Sequence, residues 1–259
     1  MARELALSGV ERQEQILHYI QSQQRVSIEQ ICEQFAVSTA TARRDLESLA
    51  KHGKVQRIHG GALAVHEAPP EPPLAQRSSD QADEKRRIGS LAASLVHDGD
   101  TVFLGSGTTV QEIAYHLRGK RDITVITNSL LTINALAGVA GVSVIGLGGV
   151  LRPSEMSFIG HITEQALREL RADKVFMGIR AIDIKHGLTN DYLPETQTDR
   201  SILNVGQQVI VVADNTKCKR ISTTFVAPVN VVNTFITDSD APTDFVEALR
   251  AMSIDVLLA

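Results

Sequence analysis

Four of the eight prolines of this 259-residue chain fall between Pro69 and Pro73, and this run constrains the fold more than any other feature of the sequence. Proline fixes its own φ, lacks an amide N–H and restricts the residue before it, so neither a helix nor a central strand passes through such a run. The composition favours a stiff, extended spacer. We therefore predict two domains, residues 1–66 and 81–259, joined by a proline-rich linker at 67–80.

The composition is that of a globular protein. The chain is 43% hydrophobic and 22% charged, which is enough apolar material for a core. Its two cysteines, Cys32 and Cys218, lie far apart and form no CxxC pair, which fits a reducing compartment. The N-terminus shows no apolar segment with a cleavage site, so we see no signal peptide and expect a cytoplasmic protein.

One stretch, Ser129–Leu151, carries no charge and is long enough in principle to span a bilayer. It contains five glycines and several polar residues, which favours a buried helix followed by a buried strand over a membrane span. We therefore expect no membrane partner.

The spacing of apolar residues in the first domain predicts three short helices and a hairpin. The first helix spans roughly Gly9–Gln21. Ser27 begins the second helix and has Gln30 in the position of a capping box, and Ser38 begins the third helix. Two short apolar runs then flank Gly60-Gly61, which is typical of a hairpin. Three helices followed by a glycine-tipped hairpin predict a winged helix-turn-helix.

Residues 38–61 carry a net charge of +3, although the whole chain carries −4. The third helix starts with small and polar residues followed by two arginines, which suits close approach to base edges and bidentate contact with guanine. A solvated helix end with a basic side is the alternative. We predict that the first domain binds double-stranded DNA through Ser38, Thr39, Ala40, Thr41, Arg43, Arg44, Lys54, Arg57 and His59.

After about residue 77, short aliphatic strands alternate with amphipathic helices, which predicts an α/β domain with a largely parallel sheet covered on both faces. The predicted strands are Thr101–Leu104, Thr124–Ile126, Val142–Leu147, Lys174–Met177, Val209–Val212 and Val231–Ile236. The predicted helices are Glu84–Val96, Val110–Leu117, Leu130–Ala137, Ile162–Arg171, Thr196–Val205 and Thr243–Met252.

The loop Gly105–Thr109 separates a predicted strand from a predicted helix and reads Gly-Ser-Gly-Thr-Thr. Glycines allow the backbone to approach a ligand, and helix amides and hydroxyl groups at such a position bind anions. Neither the Walker lysine nor a GxGxxG fingerprint is present. A simple strand-to-helix turn is the alternative reading of this loop.

Further polar residues and glycines follow other predicted strands, at the edge where open α/β sheets bind ligands. Together with the loop they predict a site for an anionic, sugar-like effector that is phosphorylated. Its predicted residues are Gly105, Ser106, Gly107, Thr108, Thr109, Asn128, Ser129, Gly148, Gly149, Asp183, Gly187, Glu195 and Lys217. No cofactor is expected, and because the eight histidines make no HxxxH or HExxH spacing, no metal site is expected either.

The sequence resembles the DeoR/GlpR family of bacterial transcriptional regulators over almost its whole length. The most specific segments are the run from Ser38 to Leu46, Ser-Thr-Ala-Thr-Ala-Arg-Arg-Asp-Leu, and His59-Gly-Gly-Ala62. Glu84-Lys-Arg-Arg-Ile and Val212-Ala-Asp-Asn-Thr-Lys217 add to it in the second domain. The resemblance implies a repressor of sugar-related catabolic genes whose second domain is similar to ribose-5-phosphate isomerase and glucosamine-6-phosphate deaminase and senses a phosphorylated sugar.

Two residues depart from the pattern of that family. Asp199 stands where the family commonly has lysine, and Ala181 stands where it often has glycine. Both lie beside the predicted effector site, so we expect an atypical effector, either a less anionic sugar derivative or a phosphodiester.

Two other functions stay open from the sequence alone. One is a sugar-phosphate isomerase or deaminase with an accessory DNA-binding domain, in which Glu195 or Asp183 supplies the catalytic carboxylate. The other is a DNA-architectural protein. As a regulator, the chain is expected to act as a homo-oligomer, a dimer or tetramer, on repeated half-sites. The second domain, including the strand-like tail Ile254–Leu258, is the expected oligomerisation surface.

Overall fold

A computed structural model describes residues 9–23, 25–51, 54–58, 60–64 and 72–259. The chain divides into two compact units, Met1–Glu67 and Ala68–Ala259. His59 and the first two prolines of the run, Pro69 and Pro70, lie outside the described residues.

The first unit is a helix-turn-helix with a small sheet. Its elements are α1 (Gly9–Gln23), β1 (Arg25–Ser27), α2 (Ile28–Phe35), α3 (Thr39–Lys51), β2 (Val55–Ile58) and β3 (Gly61–Ala64). The three strands form an antiparallel sheet in the order β1-β3-β2. The core lies between helices and sheet and includes Ile16, Ile20, Ile31 and Leu46. The winged helix-turn-helix prediction is confirmed, and β1, only three residues long, is the element that the sequence did not reveal.

Local chemistry explains where these elements begin. The Ser27 hydroxyl accepts a hydrogen bond from the Gln30 amide and the Gln30 side chain accepts one from the Ser27 amide, which completes the predicted capping box. Gly61 is required where β3 meets β1, because a Cβ at this residue would lie 2.2 Å from the carbonyl oxygen of Val26.

The second unit contains seven helices and twelve strands among the described residues. Its first half comprises α4 (Leu74–Ser79), α5 (Ala82–Ser94), β4 (Thr101–Leu104), α6 (Thr108–His116), β5 (Ile123–Thr127), α7 (Leu130–Leu136), β6 (Val142–Gly146), β7 (Val150–Arg152), β8 (Ser157–Ile159) and α8 (His161–Arg168). Its second half comprises β9 (Ala172–Gly178), β10 (Ala181–Asp183), β11 (Gly187–Asn190), α9 (Leu193–Leu203), β12 (Gly206–Val212), β13 (Thr224–Ala227), β14 (Thr234–Thr237), α10 (Thr243–Ala251) and β15 (Asp255–Leu258).

Seven of these strands form one sheet in the order β15-β14-β12-β9-β4-β5-β6, and every neighbouring pair is parallel. Alternate residues of the central strands point to opposite faces: Phe103 packs in one apolar core and Leu104 in the other. Helices α5 and α6 cover one face, and α8, α9 and α10 cover the other. The predicted α/β class with a largely parallel sheet is confirmed.

Two smaller sheets escape the sequence analysis because their strands are only three or four residues long. Strands β7 and β8 form a hairpin, and β10, β11 and β13 form a three-stranded antiparallel sheet. Asp183 and Gly187 border the turn between β10 and β11, so they do not follow strands of the main sheet.

The predicted linker at 67–80 is wrong in its second half, because α4 occupies residues 74–79. Pro73 is the N-cap of that helix, a position that needs no intrahelical N–H, so the last proline of the run begins a helix instead of preventing one. The same effect moves the start of α9 from the predicted Thr196 to Leu193, because Pro194 lies in the first turn.

The uncharged stretch Ser129–Leu151 forms α7 followed by β6, as predicted, but β6 is not buried. It is the edge strand of the sheet, and each of its residues is at least partly exposed. Within the described parts of the chain, none of the helices has the length and apolar character that crossing a membrane requires.

Candidate nucleic-acid interface and ligand cavity

Helix α3 presents two different faces. Ala42, Leu46 and Leu49 are buried in the core of the first unit, while the opposite face carries the exposed Arg43 and Arg44. The exposed residues at its start, including Ser38, Thr39 and Ala40, are all small. A helix with a small, polar start and two exposed guanidinium groups can enter the major groove and reach base edges.

Some polar groups of this segment serve the fold of the first unit. The Ser38 hydroxyl lies 2.9 Å from the Thr41 hydroxyl and accepts a hydrogen bond from the Thr41 amide, so these two residues cap α3. Asp45 is buried and accepts hydrogen bonds from Arg12 Nε at 2.7 Å and from Gln13 at 3.0 Å. It therefore fixes α3 against α1.

The hairpin formed by β2 and β3 adds further positive charge. Arg57 on β2 is exposed, and so is Lys54 just before that strand. His59, the other predicted wing contact, lies outside the described residues. Exposed basic residues at such positions of a wing can contact phosphates.

The second unit contains a cavity of about 480 Å³ at the carboxyl edge of the main sheet. The segments that follow β4, β9 and β12 all line it. From β4 the chain adds β5 and β6 on one side of the sheet, and from β9 it adds β12, β14 and β15 on the other side. The β4–β9 pair is therefore the topological switch point, where open α/β sheets bind ligands. The polar residues that line it are Arg77, Asp80, Gln81, Lys85, Ser106, Thr108, Thr109, Glu155, Arg180, Asn190, Glu195, Asp199, Asp214, Thr216 and Lys217.

One wall is the loop that the sequence predicts as an anion site. Ser106, Gly107, Thr108 and Thr109 line the cavity, whereas Gly105 directly follows β4 and its amide donates to the carbonyl oxygen of Phe176. Gly107 has a φ of +106°, which favours glycine, and it is the N-cap of α6 without any side chain that caps the helix. The first amides of α6 are therefore open to a ligand in the cavity.

Two lysines line the same cavity. Lys85, on α5, is buried, and its Nζ donates hydrogen bonds to the carbonyl oxygens of Arg77 at 2.5 Å and Asp80 at 2.6 Å. Burial lowers the pKa of Lys85, and the charge of Asp214 is the largest influence that opposes this. Asp214 accepts hydrogen bonds from the amide and hydroxyl of Thr216 and thereby begins the 3₁₀ turn that carries Lys217.

Another part of the wall is acidic. Glu195 and Asp199 are one turn apart on α9, both are buried, and the Asn190 side-chain amide donates to both of them. Glu195 also forms an ion pair with Arg152, whose guanidinium lies 4.5 Å from the centroid of the Tyr192 ring. This wall offers carboxylate and amide oxygens that can accept hydrogen bonds from hydroxyl groups.

Six of the thirteen residues predicted to bind the effector line this cavity: the four from Ser106 to Thr109, Glu195 and Lys217. The others support the fold around it. Asn128 donates to the carbonyl oxygen of Phe158, Ser129 caps α7, and the Gly148 carbonyl accepts from Thr163. The remaining positions outside the cavity are Gly105, Gly149, Asp183 and Gly187.

Asp183 is held within its own turn. Its carboxylate accepts hydrogen bonds from the amides of Lys185 and His186 and pairs with the His186 ring. It ends β10 in the small sheet that β10, β11 and β13 form, and it does not line the cavity.

Several residues of the cavity were not predicted from the sequence, above all Arg77, Lys85, Glu155 and Arg180. Only two of them had a usable signal: Arg180 comes soon after the end of β9, and Lys85 lies in the Glu84-Lys-Arg-Arg run. Arg77 fell within the predicted linker, and Glu155 follows a strand too short to recognise. Among the described residues, no group of three or more His, Cys, Asp or Glu side chains is arranged to hold a metal ion.

Comparison with known proteins identifies both units. Residues 12–68 match the DeoR-like helix-turn-helix domain, and residues 80–239 match the DeoR C terminal sensor domain. The transcriptional repressor AccR of Agrobacterium fabrum is 34% identical over 91% of this chain and 92% of its own length. The HTH-type transcriptional repressor GlcR of Bacillus subtilis is 34% identical over 96% of this chain and 95% of its own. The glycerol-3-phosphate regulon repressor of Escherichia coli is 30% identical over 97% of this chain and 100% of its own length.

Solved structures show more distant likenesses, which concern the fold alone. Ribose 5-phosphate isomerase A of Methanocaldococcus jannaschii matches with a TM-score of 0.40 and 16% identity, covering 54% of this chain and 55% of its own. The eIF2B beta subunit of Chaetomium thermophilum matches with a TM-score of 0.43 and 14% identity, covering 86% of this chain and 70% of its own.

The family matches and the relatives agree with the geometry of both units. Relatives that align with this chain over nearly its whole length are transcriptional repressors, so the chain is a regulator and not a sugar-phosphate isomerase or deaminase. A DNA-architectural role is not favoured either, because the sensor domain is present over residues 80–239. This chain belongs to the DeoR family of transcriptional regulators.

Proposed function

We propose that this protein represses a carbohydrate catabolic operon in the cytoplasm, and that an anionic, phosphorylated sugar-like effector modulates its affinity for operator DNA. The observation that carries the proposal is the combination of two features in one chain. Helix α3 exposes two arginines at its small-residue start, and the cavity of the second unit is lined by open helix amides and two lysines.

In this proposal α3 enters the major groove. Arg43 and Arg44 make the principal contacts, and a bidentate pair with guanine supplies about 1–3 kcal/mol of discrimination per base. Ser38, Thr39 and Thr41 approach base edges or phosphates at the start of the helix. Wing residues Lys54, Arg57 and His59 contact the backbone, which adds affinity without sequence information.

The effector occupies the cavity of the second unit. Its anionic group lies on the amides and hydroxyls of Ser106–Thr109, and Lys85 and Lys217 supply positive charge. Its hydroxyl groups donate to the carboxylates of Glu195 and Asp199, which also line the cavity. Because those acids repel further negative charge, an effector with a single anionic end fits better than one charged along its length.

The regulator acts as a symmetric homo-oligomer. One helix-turn-helix reads only a few base pairs, and two recognition helices about 34–36 Å apart, or a multiple of this, address successive major grooves. The second unit has a net negative charge, so it adds no affinity for phosphates and instead provides the oligomerisation surface. Sedimentation showing a monomer both free and on its operator would contradict this part.

The DNA part is tested by selecting an operator from random DNA with the wild-type protein. The Arg43→Ala, Arg44→Ala variant should then lose about 1–3 kcal/mol of operator affinity for each arginine that reads a base. A matched control is Arg86→Ala, Arg87→Ala, an exposed consecutive pair on α5, which should bind like wild type. Wild-type affinity of the Arg43, Arg44 variant would refute the assignment.

The effector part is tested by a thermal-shift screen of sugar phosphates and phosphodiesters, followed by calorimetry with and without operator. Coupling between two sites is reciprocal, so the operator must change effector affinity by the factor by which effector changes operator affinity. The Thr108→Ala, Lys217→Ala variant should bind the effector more weakly. Equal binding by wild type and variant would remove the cavity from the proposal.

A further inference from the structure

One wall of the effector cavity is formed by the first segment of the second unit. This segment, residues 72–81, comprises α4 and the residues on either side of it and is termed the strap. Pro72, Arg77, Asp80 and Gln81 of the strap line the cavity. Only four residues separate Pro72 from Glu67, the last residue of the first unit, so the strap is the described part of the second unit that lies nearest in the chain to the DNA-binding unit.

The strap is held by polar contacts rather than by a core. None of the residues of α4 is buried, and a helix of six residues has little stability of its own. Arg77 forms an ion pair with Glu155 at 2.6 Å and donates a hydrogen bond to the Ser154 carbonyl at 2.9 Å. Lys85 holds the other end through the carbonyl oxygens of Arg77 and Asp80. Segments with few buried apolar contacts open at low free energy.

The junction between the strap and α5 is strained. Gln81, the N-cap of α5, has a φ of +52° and ψ of +38°, a left-handed conformation that is energetically unfavourable for a residue with a side chain. Such strain persists only where the surroundings enforce it. Loosening of the strap would therefore relieve strain.

The groups that hold the strap also line the cavity. Arg77, Glu155 and Lys85 face the same space as the loop Ser106–Thr109. An anion bound on that loop competes with Glu155 for Arg77 and with two backbone carbonyls for the N–H groups of Lys85. The anion therefore binds more tightly to the arrangement in which the strap is released than to the one in which it is held. Such a difference in affinity between two conformations is what a ligand needs to shift the equilibrium between them.

We propose that the strap is the element through which cavity occupancy controls DNA binding: the effector draws Arg77 and Lys85 away from Glu155 and the α4 carbonyls and thereby releases the strap. Release lengthens the connection to each DNA-binding unit of the oligomer. The DNA-binding units are then held at a less defined spacing, and operator affinity falls because effective concentration falls. This inference rests on the proposed function of the cavity and adds the element through which occupancy of the cavity acts on the DNA-binding units.

The test uses full-length protein, inorganic phosphate as the probe, and hydrogen exchange of the strap amides. Phosphate at saturation should accelerate exchange in residues 72–81 at least five-fold. The variant Glu155→Gln, which weakens the hold on Arg77, should show fast strap exchange without phosphate, bind the selected operator about 5- to 150-fold more weakly, and respond little to phosphate. Arg77→Gln, on a helix without buried residues, should behave likewise and provides a second route if Glu155→Gln does not fold.

Asp83→Asn is the matched control, because it removes the exposed Arg86–Asp83 ion pair of the neighbouring helix and does not line the cavity. It should resemble wild type in every measurement. If the Glu155 and Arg77 variants resemble Asp83→Asn, the strap has no role, even when phosphate binds. If phosphate binds wild type and Thr108→Ala equally or not at all, the anion site itself is wrong, which is the failure of the proposed function rather than of the strap.

Discussion

The buried carboxylate of the recognition helix provides the sharpest test of how the first unit is held together. Asp45 lies inside the Arg43-Arg44-Asp45 run, next to side chains that point outward, yet its own side chain is only 4% exposed. It accepts hydrogen bonds from Arg12 and Gln13 on α1. We predict that Asp45→Ala frees α3 from α1 without touching the DNA-facing surface.

The magnitude depends on the burial of both partners. Removing one member of a buried ion pair costs about 3–5 kcal/mol, because the other charge stays behind without its partner. The Arg12 side chain is 21% exposed, so water recovers part of this loss, and we expect about 2–3 kcal/mol. At about 1.4 kcal/mol per factor of ten, this is a roughly 30- to 150-fold increase in the opening equilibrium.

The assay is hydrogen exchange of the full-length protein, read in peptides from residues 9–51. Exchange there should accelerate by the predicted factor at pH 7, while peptides from the second unit stay unchanged. Glu47→Ala is the matched control, since it removes an exposed acid from the same helix. Protection equal to that of Glu47→Ala would refute the reasoning.

The same pair predicts a pH dependence. Burial, the largest influence, raises the pKa of Asp45, but hydrogen bonds from Arg12 and Gln13 and the charge of Arg12 outweigh it, so the pKa lies below its ordinary value. A carboxyl with a lowered pKa stabilises the fold fully above its unfolded pKa of about 3.9 and loses this contribution as the pH falls through the native pKa. The difference between wild type and Asp45→Ala should therefore be full at pH 7 and shrink below about pH 4.

Three further predictions concern other residues. Burial raises the pKa of the Cys218 thiol to about 12. Iodoacetamide at pH 8 should therefore label Cys32 in the native protein and leave Cys218 unmodified. Rapid labelling of Cys218 would contradict its burial. Gly61→Ala should destabilise the first unit by about 3 kcal/mol, because its Cβ would lie 2.2 Å from the carbonyl oxygen of Val26. Gly60→Ala has open space around it and should lose only about 1–2 kcal/mol to its left-handed φ. Equal protection of the 25–27 amides in the two variants would oppose this. Ser27→Ala removes the capping box and should lower the free energy of unfolding by about 1 kcal/mol. Amide hydrogen exchange at the start of α2 should become faster, and unchanged exchange there would show that the cap does not stabilise the helix.

Much of the fold is predictable from local signals in the sequence. The capping box at Ser27, the glycines of the wing and the alternation of apolar strands with helices each depend on a few neighbouring residues. These local signals do not predict elements whose formation depends on packing against distant parts of the chain. A proline such as Pro73 can end an extended run or begin a helix, depending on how the next residues pack, and strands as short as β7 and β10 have too few residues to show a period.

Residues that follow a strand of the main sheet line the cavity only near the switch point. Those predicted after β5 and β6, namely Asn128, Ser129, Gly148 and Gly149, do not line it. The Ser106–Thr109 loop and Lys217 come after strands of the main sheet and line the cavity. Asp183 ends a strand of a different sheet and does not line the cavity. Arg77 and Glu155 could not be predicted, since they come together across 78 positions through an ion pair that only the folded chain forms.

The strand order of the main sheet has a consequence for synthesis of the protein. Strand β9 pairs with β4, about 70 residues earlier in the chain, and β15 joins the edge only near the last residue, whereas the first unit closes its core within residues 16–62. Contacts between distant segments form slowly, and domains that emerge first fold first. A nascent chain, or one cut short by a nonsense mutation inside the sheet, is therefore expected to carry a folded recognition helix without a sensor. Such fragments would compete for operator half-sites without responding to the effector.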